Sequence, residues 1–392
     1  MRLRELFESV KRPVVEAGPA IGRKYQHIED LVFTNGSNGG LHAVERLRDM
    51  ADQGGSIELK WDGSPVVYWG KDDKGRFMMI PKNAWEYLKR GKTTNSQGAT
   101  TLMFEPADIE KFILSTGKSG SSSVDSREQY AKQLSNLWRY FESISPNQGF
   151  IEGGLLFYPG NKPNGDSAMP VVSKEGTYDF TPNITTFHIP INSELGQKIK
   201  QAKVMVAATG FYPTLGSSDE QRLPNAESLS NKDVIVQGTT YVQEAPKFAT
   251  ADLDRAEKFI EQNADQIDNF LAGQPGLSKP GDILYKFYNQ NLRLSGVKSK
   301  FEQWVKTEFP TGGKAQKILS HPGLGLVLDA VEMLTNAKME MIQALSSGTH
   351  GGIKQTKPEG YAQAHPGRQF KKDLPGQFVK AIDQGNWVPR KD

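Results

Sequence analysis

The chain has 392 residues, 24% of them charged and 37% hydrophobic, with a net charge of only +3, which suits two domains or one large domain with an insertion. It has no Cys and six scattered His, which excludes disulfides and thiolate metal sites and argues against a zinc centre. So small a charge excess neither requires nor excludes nucleic acid, because local clusters of Lys and Arg decide that.

The start, Met1-Arg2-Leu3-Arg4-Glu5-Leu6-Phe7, reads as a short amphipathic helix rather than a signal peptide. No apolar run approaches membrane-spanning length, so an intracellular, soluble protein is the expectation. Residues 1 to 55 read as helical and loop-rich. Leu41, Val44, Leu47 and Met50 share one helix face, and Gly54-Gly55 ends that helix. A strand, Ile57–Lys60, leads through a turn into Val66–Trp69, and Asp72-Asp73-Lys74-Gly75 turns the chain into Phe77–Ile80. From 82 to 145 the pattern is helical, interrupted by a Ser/Gly loop at Ser119–Ser123. Strands return at Phe150–Tyr158, Thr185–Ile189 and Lys203–Ala207. From 251 to 345 amphipathic helices follow one another; Leu253, Ala256, Phe259 and Ile260 share a face, as do Ile283, Leu284 and Phe287. A last strand is expected at Gly360–Ala364. The whole reads as one α+β domain with a helical insertion late in the chain.

The sharpest local feature is Lys60-Trp61-Asp62-Gly63, directly after a strand and before a turn. A lysine amine attacks phosphorus only when neutral, and a strand end fixes its direction while leaving the amine in a cleft. Asp-Gly supplies the tight turn, and is equally an ordinary hairpin turn after a solvated lysine. Gly117-Lys118-Ser119 is no Walker-type phosphate loop, because Phe112 stands where that pattern demands glycine.

Lys-x-Asp-Gly resembles the nucleophile motif of the covalent nucleotidyltransferases, the DNA ligases, RNA ligases and mRNA capping enzymes. The longer string Ser56–Pro65, with His27-Ile28-Glu29-Asp30-Leu31-Val32-Phe33 upstream, looks like a group of ligase-like proteins of tailed bacteriophages. The resemblance implies an adenylation domain of antiparallel sheets with flanking helices, ATP and Mg²⁺ as cofactors, and a lysine–AMP intermediate on Lys60. It also implies later elements in fixed order. Glu152, in Phe150-Ile151-Glu152-Gly153-Gly154, falls in the ribose-binding or metal-binding place; its alternative is a plain strand residue. Phe187 falls where an aromatic residue packs near the base, or else in the core. Glu359, in Pro358-Glu359-Gly360, falls in the place of the metal-binding carboxylate, with Glu175-Gly176 as a competing pair. Lys371 and Lys372 fall where a lysine grips the α-phosphate; a Lys-Lys pair is otherwise a solvated face.

Glu58 is a candidate reader of the adenine edge, Asp62 and Gly63 complete the motif, and Lys82 lies where relatives often carry a phosphate-contacting basic residue. Arg90 and Lys92 extend that basic stretch, or are surface helix charges. Pro65 stands where many ligases have arginine, which leaves that contact unassigned. About twenty residues follow the last lysine motif, too few for the small β-barrel that ligases commonly append. The domains expected are 1–250 as the main adenylation part, 251–345 as a helical insertion for substrate docking, and 346–392 as strands completing the first. Basic residues from Asn291-Leu292-Arg293 to Lys298-Ser299-Lys300 would suit a phosphate backbone, or simply keep the helices in solution. The activity implied is ATP-dependent transfer of AMP to a 5′-phosphate end of DNA or RNA, by a monomer in the (host) cytoplasm. Two alternatives remain open: a non-catalytic nucleic-acid-binding protein on a degenerate ligase fold, and an enzyme that adenylylates a protein or small molecule.

Overall fold

A computed structural model describes residues 26–52, 57–116, 124–161, 167–221, 223, 225–242, 250–290, 297–311, 313–356, 360–363 and 379–383. Met1–Phe7, Ser119–Ser123, the basic stretch 291–296, Glu359, Lys371 and Lys372 lie outside these residues. The described chain is α+β, with three sheets and helices on their faces. No helix among the described residues is long and apolar enough to cross a membrane.

The first sheet holds five strands in the order Gln26–His27, Val379–Asp383, Gly360–Gln363, Ile57–Leu59 and Thr240–Tyr241. The second runs Val234–Gln237, Val204–Tyr212, Gly149–Phe157, Val66–Lys71 and Phe77–Pro81. The third is Lys354–Thr356, Thr186–Pro190, Thr177–Phe180 and Val171–Val172. The second sheet reads as nearly continuous apolar runs because both faces are covered. Trp69 on one face meets Phe141 edge-on, and Tyr68 on the other stacks on Trp85 at 4.4 Å.

The helical segment Leu31–Asp52 begins ten residues earlier than the apolar spacing of 41–50 suggests and is broken by a kink within Asn35-Gly36-Ser37-Asn38-Gly39-Gly40. Gly36 takes φ 62°, a left-handed conformation that favours glycine, and kinks the helix. The helix restarts because Asp268 accepts hydrogen bonds from Ser37 N at 2.7 Å and Ser37 Oγ at 2.8 Å, an N-terminal cap borrowed from 231 residues away.

The helices Ala251–Gln262, Ala264–Ala272 and Pro322–Ser346 pack on this N-terminal helix. Val44 and Leu47 from the N-terminal helix share one buried core with Leu253, Ile260, Phe270 and Val331. Ile57 of the lysine-bearing strand and Tyr361 beside it belong to the same core, while Leu59 enters the core under the third sheet. The helices Ala251–Gln262, Ala264–Ala272 and Pro322–Ser346 are thus seated on the helix that precedes the lysine strand.

His350 closes the last helix against the first sheet. Its ring is 7% exposed, with Nε2 2.9 Å from the Leu345 carbonyl oxygen and 3.4 Å from the Tyr361 hydroxyl. Burial pushes its imidazole pKa below the ordinary value, against a smaller opposing effect of the Leu345 hydrogen bond. The unfolded chain therefore binds a proton there first, so His350 contributes stability above the usual histidine pKa and loses it as pH falls. The fall in urea midpoint from about pH 7.5 to about pH 5.5 should be smaller in His350→Gln than in the wild type.

Candidate active site

Lys60 follows the last residue of the strand Ile57–Leu59 and is half-buried. The turn after it is held from three directions. Asp62 is 3% exposed, and its carboxylate accepts from Ile184 N at 2.6 Å, Thr185 N at 2.9 Å and Asn183 Nδ2 at 3.0 Å. These donors lie in the loop that opens the third-sheet strand Thr186–Pro190. Trp61 lies against Phe187 of that strand, ring centroids 4.7 Å apart. Ser64 N donates to Leu155 O at 2.8 Å, and Leu155 N to Pro65 O at 3.0 Å, so the turn joins the second sheet as well.

The closest approach is between glycines. A Cβ on Gly63 would meet the Gly154 backbone at 2.5 Å, and one on Gly154 would meet Gly63 at 2.7 Å. Backbone cannot swing aside as a side chain can, so Gly154→Ala should cost about 3 kcal/mol and displace the turn carrying Lys60. Urea unfolding measures this loss; an unchanged midpoint would contradict the contact.

Glu152 lies two residues before Gly154 on the strand Gly149–Phe157, so both face the same side of the sheet, about 7 Å apart along it. Its Oε2 accepts from the Tyr212 hydroxyl at 2.8 Å. Tyr68, opposite Glu152 on the neighbouring strand, is also buried beside it. Burial, and then the Glu152 charge, push both phenols well above the usual tyrosine pKa; Glu220 acts on both and Glu86 on Tyr68 in the same sense. Both hydroxyls therefore remain protonated at every ordinary pH, as fixed donors around a carboxylate.

Lys82 is exposed at the start of helix Lys82–Leu88. Pro81 pairs with Val67, so that helix leaves the second sheet at the end where the lysine turn enters it. Trp85 of the helix, stacked on Tyr68, covers the sheet face that carries Glu152.

The strand Gly360–Gln363 runs antiparallel beside the lysine strand, Tyr361 opposite Leu59 and Ala362 opposite Glu58. The chain thus enters this strand, directly after Glu359, at the level of Lys60. Glu58, half-buried, takes Tyr241 as its partner on the other side. Lys371 and Lys372 belong to the chain between this strand and its neighbour Val379–Asp383.

Two expected ligand contacts are otherwise employed. Phe187 has no exposed surface and packs between Phe180 and Trp61 in the core under the third sheet, so it is not a base-facing ring. The Asp62 carboxylate serves the loop 183–185 rather than a nucleotide. For a metal, no group of three or more His, Asp or Glu among the described residues is placed to hold an ion. Glu152 is the described member of the expected Glu152–Glu359 pair, with one oxygen on Tyr212.

Tyr68, Tyr212 and Trp85, and the loop Asn183–Thr185, are site residues the motif reading passes over. The Gly153-Gly154 pair inside an apolar strand was a usable signal, since glycine there marks close backbone approach. Nothing local to Asn183–Thr185 announces that it grips a carboxylate 121 to 123 residues away.

An α+β protein is defined here by a strand-end lysine turn at the junction of three sheets, with a tyrosine-held carboxylate beside it. The chain belongs to the DUF6267 family, a family of unknown function, whose profile matches residues 24–86 and 121–371. No curated protein matches the chain, and no solved structure does.

Proposed function

We propose that the protein is an ATP-dependent nucleotidyltransferase that carries AMP on Lys60 and passes it to the 5′-phosphate end of a polynucleotide. The observation that carries this reading is an assembly of segments distant in sequence. The Lys60–Gly63 turn lies on Gly154 next to Glu152, and the strand following Glu359 runs beside the lysine strand. A solvated hairpin lysine needs none of this.

In the first step the neutral Lys60 Nζ attacks the α-phosphorus. An N–P bond forms, the P–O bond to pyrophosphate breaks, and the amine releases a proton. Mg²⁺ bound to the triphosphate would shield its charge and stabilise the leaving pyrophosphate. The chain's own groups position the reactants. The Asp62 and Gly63 contacts fix the backbone beneath the nucleophile. Glu152, oriented by Tyr212, offers a carboxylate oxygen to a ribose hydroxyl. Lys82 stands at the same end of the sheet as a charge partner for the phosphates. Glu359 and either Lys371 or Lys372 are assigned to the metal and the α-phosphate. In the second step a 5′-phosphate oxygen attacks the same phosphorus and the N–P bond breaks.

Incubation with α-³²P-ATP and Mg²⁺, then denaturing electrophoresis, tests the first step. The protein should take up an acid-labile label that excess pyrophosphate removes. Folded protein that stays unlabelled with both ATP and GTP would contradict the covalent mechanism and favour a binding protein.

A further inference from the structure

One stretch of this chain carries a marked positive excess. Between residues 71 and 104 there are seven Lys or Arg and three Asp or Glu, a larger excess than the +3 of the entire sequence. The structure gathers this stretch on one edge of the second sheet. The strand Phe77–Pro81 is the edge strand, preceded by the exposed turn 73–76. After helix Lys82–Leu88 the chain returns through Lys89, Arg90 and Lys92, all exposed, into an uncharged polar loop. That loop is closed by Thr101, whose N bonds Thr93 O and whose Oγ1 bonds Lys92 O. Three residues on stands Phe104, one of the few exposed large hydrophobic side chains, with the Arg76 guanidinium 4.2 Å from its ring centroid. Thr101 to Phe104 is at most about 11 Å of chain, so the stacked pair lies close to Lys92, whose carbonyl Thr101 holds.

Each bland account leaves part of this over. Arg76 is tied to Asp72 and Lys89 to Glu86, which explains those two charges but neither the exposed ring nor Lys74, Arg90 and Lys92. The Phe104 ring is 37% exposed, with the guanidinium over it. It offers what an unpaired base requires, a flat stack of aromatic ring and guanidinium, within reach of lysines for the flanking phosphates. A base inside a duplex has no free face to stack, so the chemistry selects a single strand. The family profile breaks off at residue 86 and resumes at 121, so Arg90, Lys92 and Phe104 lie in a part of this chain outside the shared pattern.

We infer that Lys74, Arg76, Lys89, Arg90, Lys92 and Phe104 form a docking surface for a single-stranded polynucleotide, with Phe104 and Arg76 stacking one base. The inference rests on the polynucleotide acceptor of the proposed reaction for its role, though not for its binding chemistry. The strand pair Val66–Lys71 and Phe77–Pro81 places the turn 73–76 about 17 Å from the end where the lysine turn enters. A strand held there can extend several nucleotides toward Lys60.

Fluorescence anisotropy of the full chain tests this with a labelled single strand of about 20 nucleotides, longer than one stacking site, and a blunt duplex of the same sequence. The single strand should bind at least about tenfold tighter than the duplex. Phe104→Leu should weaken it about tenfold with the salt dependence unchanged, because stacking carries no counterions. Arg90→Ala with Lys92→Ala should lower the slope of log affinity against log salt by about one to two. Affinities within twofold of the wild type in both variants, or a preference for duplex, would overturn the inference. Phe104→Leu should leave labelling of the protein by α-³²P-ATP unchanged. Loss of variant-sensitive binding in a labelled protein refutes the surface alone; retained binding in a protein that never labels refutes the reaction alone.

Discussion

Lys338→Ala should cost about 3–5 kcal/mol of stability, the usual loss when one partner of a buried ion pair is removed. Lys338 has no exposed surface on helix Pro322–Ser346, and its ammonium meets Glu29 Oε1. Glu29 is 3% exposed, and its Oε2 has no hydrogen-bond partner among the described residues. Truncating the lysine therefore leaves a buried carboxylate without the ammonium that meets it. Removing both charges together, with Glu29→Gln and Lys338→Met, should restore most of the loss, since the penalty belongs to the unpaired ion and not to the missing contact. Urea unfolding of the three variants measures this. A single variant within about 1 kcal/mol of the wild type would show that the pair is solvated. The consequence reaches the candidate site because Glu29 follows the strand Gln26–His27, which belongs to the same sheet as the lysine strand.

Lys60→Arg should lower nucleotide labelling more than about a thousandfold, the scale seen when a covalent nucleophile is removed. Arginine keeps the charge and most of the length, but its guanidinium stays protonated and has no lone pair to give to phosphorus. The substitution thus separates a nucleophile from a cation that merely binds phosphate. Lys60 follows a strand whose neighbours Leu59 and Asp62 are buried, so the turn should survive the change and the melting temperature should stay close to the wild type. Labelling that persisted in Lys60→Arg at more than a few per cent, an order-of-magnitude threshold, would assign the chemistry to another residue.

Local pattern carried the elements around the site. The strand into Lys60, the Asp72–Gly75 turn and the strand bearing Glu152 are each legible from alternation, turn residues and apolar runs. What local pattern could not carry was partnership. Amphipathic spacing shows that Leu253, Ala256 and Ile260 face something, and the structure supplies Val44 and Leu47 from two hundred residues upstream. The residues of the Asn35–Gly40 run are poor helix formers, so local pattern sets no helix there. Tertiary contacts override that: Asp268 caps Ser37, and Gly40 lets Ile260 approach. Phe187 takes the second of its two readings, since a position in a family order says nothing about which way a strand residue points; this one points into the core. Asp62 belongs to the motif by sequence, yet its chemistry here is that of a buried acceptor for a loop far along the chain.

The central claim, a nucleotide bound covalently to Lys60, is tested most directly by mass spectrometry of the wild-type protein after reaction with ATP and Mg²⁺. Digestion under conditions that preserve the phosphoramidate should yield one peptide heavier by AMP, with the adduct on Lys60 Nζ. The adduct should disappear with pyrophosphate or acid. An adduct on any other residue, or none on folded protein with either ATP or GTP, would contradict the account.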